Sequence, residues 1–349
     1  MTVQELFGID LPIIQAPMAG VQGSALAVAV SNAGGLGSLP CALLSPDGLR
    51  KELAAIRGQT TKPFNVNFFC HPNPEPSAAR EAAWRAALAP YFAEYDIDPQ
   101  SIAGGPARVP FDAASADLLS EFEPPVVSFH FGLPSPELLA RVRGWGAKIL
   151  SSATTVDEAR WLEAHGVDAV IAQGLEAGGH RGLFLTGDLA SQIGAFALVP
   201  QVVAAVSVPV IAAGGIADAK GVAAALALGA AGVQIGTAYL LCPEVTTSAI
   251  HRDALKSDAA RTTAVTNVFT GRPARGIVNR IVRELGPISA VAPAFPLAAA
   301  AVAPLRAKAE SLGRGDFSPL WAGQNVSGCR EVPASKLTRE LAGAIAGGQ

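Results

Sequence analysis

Eight short apolar segments recur along the chain, each bounded by glycine or proline and followed by a segment with helical periodicity. Uniformly apolar strands that alternate with helices are typical of parallel sheets buried on both faces. Eight such units predict an α/β fold of the (β/α)8 TIM-barrel type. The predicted strands are Leu11–Met18, Gly35–Pro40, Pro63–Phe69, Val126–Gly132, Ala147–Ala153, Ala169–Gly174, Pro209–Gly214 and Gly232–Tyr239.

An open doubly wound sheet is the competing arrangement. It would favour a Gly-x-Gly-x-x-Gly turn after the first strand, where this chain has Ala-Pro-Met-Ala-Gly at 16–20. Thr155 precedes two acidic residues, as a helix N-cap does, and Gly166 and Gly229 are typical of helix C-termini. The predicted helices are Ser24–Asn32, Pro46–Arg57, Ser77–Phe92, Pro136–Trp145, Val156–His165, Gln192–Val206, Asp218–Leu228 and Glu244–Lys256.

Two regions exceed a bare barrel. Residues 73–123 lengthen the third connection, and the chain from residue 243 onward is rich in Ala, Pro and Arg with a mostly helical pattern. We expect residues 1–242 to form the barrel, with an inserted helical segment at about 73–123. Residues 243–349 are expected to form a smaller, mostly helical cap on the substrate side.

Composition restricts the partners and the compartment. Half of the 349 residues are hydrophobic, and a net charge of −3 gives no electrostatic reason to expect nucleic acid or an anionic membrane as a partner. No signal-peptide pattern or membrane-spanning apolar run is visible. The four cysteines are scattered, which argues against a zinc site or disulfides. We therefore expect a cytoplasmic protein without a metal site; the sequence leaves a homo-oligomer open.

A glycine-rich loop with one histidine follows the sixth predicted strand, in the stretch Ile171–Gly182. Four glycines let the backbone approach a ligand closely. His180 has the side chain whose ordinary pKa suits proton transfer near neutral pH. This loop is therefore the predicted place for chemistry.

Glycines also follow the last two predicted strands, at Gly214 and Gly215 and at Gly236, where Thr237 adds a hydroxyl. Bare amides at such positions suit a phosphate, and loops after the last two strands of these barrels often bind one. Tight turns without a ligand are the alternative.

Three side-chain amides are expected at the same rim. Strand alternation puts Asn65 and Asn67 on the inner face, with Asn67 nearer the rim, while Gln173 ends the sixth strand and Gln234 lies on the eighth. Asn67, Gln173 and Gln234 together would suit the donor and acceptor edge of a flat heterocycle. Mutual hydrogen bonding within a packed barrel is the alternative.

With these residues in place, the chain resembles the nitronate monooxygenase family, formerly called 2-nitropropane dioxygenases, and within it the first class. The resemblance covers almost the whole chain and depends on the order and spacing of its motifs. These motifs are Gln15–Gly20, Asn65–Phe69, Val127–Gly132, Gln173–Gly182, Ala213–Ile216, Gln234–Thr237, Thr270–Gly276 and Trp321–Gln324.

The resemblance implies FMN as the cofactor. Ala16, Pro17 and Met18 would pack against the isoalloxazine ring, and Asn67 and Gln173 would bond the flavin or its ribityl chain. Gly178 or Gly179 would pass close by. The residues implied to hold the phosphate are Gly214, Gly215, Gln234, Gly236 and Thr237.

The implied activity is oxidation of alkyl nitronates, such as propionate 3-nitronate, with O2 to a carbonyl compound and nitrite, through one-electron transfer to the flavin. His180 would be the active-site histidine. It would remove the α-proton of a neutral nitroalkane or stabilise a preformed nitronate.

Further substrate contacts are predicted on the barrel rim and the cap. Ser128 and His130 share a strand face that ends at the rim, and His130 could equally only cap its strand. Lys308, Arg272 and Arg275 could bring positive charge from the cap to an anionic substrate, or else lie in solvent.

Two other functions stay open. An FMN-dependent NADH:quinone reductase or enoyl-acyl carrier protein reductase would share the same glycine loops. A phosphate-binding barrel without redox activity is the other alternative, and such a protein would purify colourless.

Overall fold

A ring of eight parallel strands forms the centre of the molecule. The computed structural model describes residues 2–102 and 108–343. The predicted barrel strands are all present, in the spatial order β1-β9-β8-β6-β5-β4-β3-β2. Their ranges are β1 Ile13–Gln15, β2 Gly37–Pro40, β3 Phe64–Phe69, β4 Val126–His130, β5 Lys148–Ala153, β6 Ala169–Gln173, β8 Val210–Ala213 and β9 Gly232–Ile235.

Backbone hydrogen bonds join β1 to the residue before β2, and these two strands are the edges of this sheet. The Leu36 amide donates to the Ile13 carbonyl and the Gln15 amide donates to the Leu36 carbonyl, both at 2.9 Å. The sheet therefore curls into a barrel, which confirms the predicted TIM-barrel fold and rules out the open doubly wound sheet.

Helices follow the strands as predicted, but the sixth predicted helix begins at Ala195 instead of Gln192 and the eighth at Ala249 instead of Glu244. Thr155 accepts a hydrogen bond from the Glu158 amide at 3.1 Å, and Gly166 and Gly229 have φ of 84° and 95°, which confirms the predicted cap and the two helix ends. Within the described residues, none of the helices has the length and apolar character to cross a bilayer. The helix ranges are α1 Val3–Phe7, α2 Ser24–Asn32, α3 Pro46–Gln59, α4 Ala78–Glu94, α5 Ala113–Phe122, α6 Pro136–Gly144, α7 Val156–Ala164, α8 Ala195–Ala205, α9 Ala219–Ala227, α10 Ala249–Lys256, α11 Arg280–Leu285, α12 Ala298–Ser311 and α13 Ala334–Leu341.

Several strands end earlier than predicted, at the rim where their carboxyl ends meet. β1 ends at Gln15 instead of Met18, and β9 ends at Ile235 instead of Tyr239. Gly236 leaves the extended conformation, with φ −115° and ψ −69°, and a short 3-10 turn covers Thr237–Leu241. The apolar residues beyond these ends therefore line loops.

The barrel interior is apolar at one end and polar at the other. Helix α1 closes the amino end with Val3, Leu6 and Phe7, which pack on Ile14 and Ile211 inside the barrel. At the carboxyl end the inner side chains include amides and imidazoles, because this rim lines the cavity described below.

A second core lies outside the barrel, between α4 of the inserted segment and the later helices. Trp84 and Tyr91 of α4 pack in one apolar cluster with Val302 of α12 and with Phe317. The same region holds a small antiparallel sheet, in which β11 (Ala274–Ile277) pairs with β10 (Thr263–Thr266) and with β7 (Gly179–His180). The region after residue 243 is therefore helical with a small sheet.

Two helices of the predicted insert and cap pack on the barrel. The Leu119 side chain of α5 and the Leu337 side chain of α13 lie in the core that surrounds the barrel strands. We propose a domain division in which α5 and α13 belong to the barrel unit and α4 to the smaller region. Residues 103–107 of the predicted insert and 344–349 of the predicted cap lie outside the described residues.

Candidate active site

A deep cavity opens at the carboxyl ends of the barrel strands and encloses about 1390 Å³ of space, counting its mouth. All twelve residues predicted to bind the cofactor line it, together with His180 and His130. The twelve are Ala16, Pro17, Met18, Asn67, Gln173, Gly178, Gly179, Gly214, Gly215, Gln234, Gly236 and Thr237.

The glycine loops after β8 and β9 form one side of the cavity. Gly214 and Gly215 have φ of 113° and 74°, which side chains other than glycine rarely adopt. The amides of Gly214, Gly215 and Gly236 donate to no acceptor among the described residues. Three amides beside an open cavity, each without a described acceptor, form a suitable seat for an anion.

The loop after β1 is held against this side by two glutamines. The Gln22 Oε1 atom accepts from the Met18 amide at 3.1 Å and from Gln15 Nε2 at 2.7 Å. Gln15 Oε1 accepts from the Ser38 amide at 2.9 Å. Met18 and its neighbours therefore present a fixed apolar wall to the cavity.

The three predicted amides meet at the cavity, but their hydrogen bonds differ. Asn67 Nδ2 donates to Ser128 Oγ at 2.9 Å. Gln173 donates to the His180 carbonyl at 3.1 Å and accepts from the Gly182 amide at 2.8 Å, so it holds the histidine loop. The Gln234 side chain makes no hydrogen bond to any described residue and can bond a ligand.

His180 lies on β7, in the loop after β6, which packs beside the glycine loop after β8. β7 pairs with β11, so the later region of the chain holds the histidine in place. Its ring lies 5.3 Å from the Phe295 ring and 5.5 Å from the Trp321 ring, measured between centroids. The imidazole therefore sits in an aromatic enclosure at the cavity wall.

The hydrogen bonds of His180 indicate its tautomer. The Thr270 hydroxyl lies 2.9 Å from His180 Nε2 and donates to the Arg272 carbonyl at 3.4 Å. Its oxygen then accepts the Nε2 proton, which leaves Nδ1 as the basic nitrogen; the tautomer is assigned from this network. Burial, and then the charge of Arg108, lower the pKa of His180 well below its ordinary value. The ring is therefore neutral at pH 7.

His130 positions this loop. Its Nε2 atom donates to the His180 carbonyl at 3.1 Å, and its Nδ1 atom accepts from Ser152 Oγ at 3.0 Å. Burial lowers the pKa of His130 to about 3. Both ring nitrogens are engaged, so His130 is a positioning residue although it lines the cavity.

Arg181 and Glu176 stabilise the same loop from behind. Arg181 is 0% exposed and donates to the Gln173 and Gly174 carbonyls, each at 2.8 Å. The Glu176 carboxylate accepts from the amide of Ala195, the first residue of α8, at 2.8 Å. Both residues are structural.

Some predicted substrate residues lie away from the cavity. Ser128 is buried one layer below the rim, where it bonds Asn67, because inner side chains are two residues apart along a strand. Lys308 is exposed on α12, because the opposite face of that helix packs on α4. Arg275 donates to the Leu175 carbonyl at 2.8 Å, and Arg272 lies 3.8 Å above the Phe131 ring, so neither lines the cavity.

Three further lining residues, Arg108, His251 and Trp321, were not predicted as site residues from the sequence. His251 is 4% exposed, and its Nε2 atom has no hydrogen-bond partner among the described residues. Arg108 and His251 lie in no glycine loop or barrel strand, so local pattern carried no signal for them. Trp321 belongs to the Trp321–Gln324 motif, and this motif was the one sequence signal for it.

Gly178 allows the Trp321–Gln324 motif to close over the histidine loop. A Cβ atom at residue 178 would lie 2.6 Å from the Ala322 carbonyl carbon and from the Gly323 nitrogen. We expect Gly178→Ala to reduce the free energy of unfolding by roughly 1–3 kcal/mol, because backbone must move to admit it. Urea unfolding measures this. The matched control is Gly144→Ala in α6, where a Cβ meets open space, so this variant should not destabilise the protein. Equal stability of the two variants would contradict the close approach of residues 322 and 323 to Gly178.

Sequence relatives match almost the whole chain. The sequence model of a family described as Nitronate monooxygenase matches residues 1–343. A nitronate monooxygenase of Pseudomonas aeruginosa is 44% identical over 344 residues, 96% of each chain. One from Paraburkholderia phytofirmans is 44% identical over 345 residues, 96% of this chain and 92% of the relative.

Solved structures of two enzymes are similar to this chain over nearly its full length. Nitroalkane oxidase from Streptomyces ansochromogenes superposes with a TM-score of 0.88 at 42% identity, covering 99% of this chain and 98% of that one. FabK from Thermotoga maritima gives a TM-score of 0.73 at 29% identity, covering 99% and 96%. The chain belongs to the nitronate monooxygenase family, whose members are flavin-dependent oxidoreductases.

Proposed function

We propose that the protein is an FMN-dependent nitronate monooxygenase that oxidises alkyl nitronates, such as propionate 3-nitronate, with O2 to a carbonyl compound and nitrite. Relatives of that name at 44% identity support the activity. The observation that carries the proposal is one cavity lined both by glycine amides that have no acceptor among the described residues and by a neutral histidine.

The glycine side fits the phosphate of FMN. The amides of Gly214, Gly215 and Gly236 are donors that have no acceptor among the described residues. No Asp or Glu is among the described lining residues, so no carboxylate there would repel a phosphate dianion. The Thr237 side chain is held in position by a hydrogen bond, in which its hydroxyl accepts from the Gly323 amide at 2.9 Å. A terminal phosphate suits this seat, which supports FMN over FAD.

The apolar part of the cavity wall fits a flat ring. Ala16, Pro17 and Met18 supply apolar surface, and the Gln234 amide, which has no partner among the described residues, supplies a donor and an acceptor. When bound, FMN supplies the one-electron acceptor for the nitronate. The residues of the chain bind and orient the two reactants.

His180 faces the substrate in this proposal. Its neutral imidazole can accept the α-proton of a nitroalkane at Nδ1, while Thr270 holds Nε2. The rings of Phe295 and Trp321 lie against the imidazole and limit the access of bulk water to it. For a preformed nitronate, no proton needs to be removed.

The test is to identify the cofactor and then the reaction. Purified protein should be yellow, and the flavin released on denaturation should have the mass of FMN. Under anaerobic conditions propionate 3-nitronate should change the flavin spectrum, and in air it should release nitrite. A colourless protein would support the non-redox alternative, and released FAD would contradict the phosphate seat.

The reductase alternative is tested with the same purified protein. The FabK similarity at 29% identity is the observation that favours it. NADH added anaerobically should bleach the flavin rapidly in a reductase, whereas we expect only a slow change here. Rapid bleaching by NADH without nitrite release from nitronates would overturn the proposal.

A further inference from the structure

Arg108 is the charged residue of the cavity wall. It is half-buried, and its guanidinium makes no ion pair or side-chain hydrogen bond with any described residue. Its backbone is held from below, because His71 Nε2 donates to the Arg108 carbonyl at 3.0 Å. An arginine fixed at its main chain with free donors at its tip is suited to bind a ligand.

No other described residue that lines the cavity carries a permanent charge: Asp, Glu and Lys are absent from the lining. A guanidinium in a half-buried site without a counter-ion favours an anionic ligand. In the proposed function the glycine amides after β8 and β9 bind the cofactor phosphate. The charge of Arg108 is therefore left for a second anion.

Arg108 and His180 both lie next to the same aromatic ring. The Arg108 guanidinium carbon lies 5.2 Å from the Phe295 centroid, and the His180 ring lies 5.3 Å from it. The guanidinium and the imidazole therefore lie near each other at the cavity wall. A ligand that reacts beside His180 would reach Arg108 with a second group.

We propose that Arg108 binds a carboxylate of the substrate and so selects nitronates that carry this second anionic group over plain alkyl nitronates. The assignment rests on the proposed function. A guanidinium fork matches the two oxygens of a carboxylate, which gives paired charge-assisted hydrogen bonds. Phe295 below the fork limits its movement through a cation–π contact.

Two substrates and three variants test this. Nitrite release is measured with propionate 3-nitronate and with butyl 1-nitronate, which lacks the carboxylate. Arg108→Met should lower kcat/KM for propionate 3-nitronate by about 10- to 100-fold, mostly through KM, since a hydrogen bond to a charged group contributes about 1.5–3 kcal/mol. For butyl 1-nitronate kcat/KM should hardly change, and Arg108→Lys should recover part of the loss.

The matched control is Arg261→Met. It removes the same charge from a side chain that is 79% exposed and outside the cavity, so it should affect neither substrate. Equal losses with both substrates in Arg108→Met, or no loss with either, would overturn the proposal. The flavin-to-protein absorbance ratio must stay at the wild-type value, because a fall would mean that Arg108 supports the cofactor instead.

A binding measurement separates this proposal from the proposed function. Succinate carries two carboxylates and cannot react, and calorimetry on the holoprotein gives its Kd. We expect Arg108→Met to raise this Kd at least about tenfold. Succinate binding that is absent or independent of Arg108 would overturn the inference. Arg108-dependent binding in a protein that consumes no nitronate would support the anion site and overturn the nitronate assignment alone.

Discussion

Replacing His180 with asparagine is expected to slow the turnover of neutral nitroalkanes by about 100- to 10,000-fold, the usual contribution of a general base. Preformed nitronates should be affected far less, because their α-proton is already gone. Asparagine keeps a polar group near Thr270, and the backbone carbonyl at residue 180 still accepts from His130 and Gln173. Flavin should therefore stay bound.

Initial rates of nitrite release, with 1-nitrobutane and with its nitronate, give the comparison. Thr270→Val is the matched control: it leaves the imidazole but removes the hydroxyl that holds Nε2, so its effect should be smaller and in the same direction. Losses of the same size for nitroalkane and nitronate in His180→Asn would contradict the role of a base.

The pH profile of the nitroalkane reaction follows from the same imidazole. The neutral ring is the base, and burial with Arg108 nearby lowers the pKa of His180. As the pH is lowered from neutral, activity should therefore stay constant past pH 6.5, the ordinary pKa of histidine. It should fall only when the pH drops through the lowered pKa of His180. A fall in activity that begins above pH 6.5 would contradict the burial of His180.

Replacing Gly215 with aspartate is expected to abolish copurification of the flavin. The new carboxylate would stand at the seat assigned to the phosphate, and two like charges about 4 Å apart at an effective dielectric constant of about 20 repel by roughly 4 kcal/mol, on the order of a thousandfold in affinity. The flavin-to-protein absorbance ratio and calorimetric titration of the apoprotein with FMN measure the effect.

Gly215→Asn is the matched control for this change. Asparagine has nearly the same shape, and both residues tolerate the φ of 74° found here. A Cβ at this position first meets Glu176 Cβ at 3.4 Å, an ordinary contact, so both variants should fold. The asparagine variant should retain more flavin. An aspartate variant with one flavin per chain would show that the phosphate lies elsewhere.

The barrel was predictable because its signal is local. Each strand is a short apolar run between glycines or prolines, and α2 begins and ends where the pattern put it, at Ser24 and Asn32. Strand ends were predicted too long at Met18 and Tyr239, because the residues that line the cavity are as apolar as those in the strands. Local composition does not distinguish a buried strand from a buried loop.

The site was predictable only in part. The glycines and Asn67, Gln173 and Gln234 could be placed at one rim because carboxyl ends of parallel strands meet there. Lys308 was wrongly expected near the site, since its helix direction depends on packing with α4. Arg108 was missed because its place depends on His71 and Phe295, which are distant in sequence.

By itself the sequence determined the alternation of strands and helices, the glycine loops and the histidine among them, since backbone conformation and burial follow from neighbouring residues. Only the tertiary structure decided that His180 pairs with Ala274 in a small sheet and that His130 donates to the His180 carbonyl. It also decided that Arg108, which has no side-chain partner among the described residues, lies next to the same Phe295 ring as His180. The physical reason is that these contacts link residues dozens to hundreds of positions apart, and such contacts form only when the chain has folded.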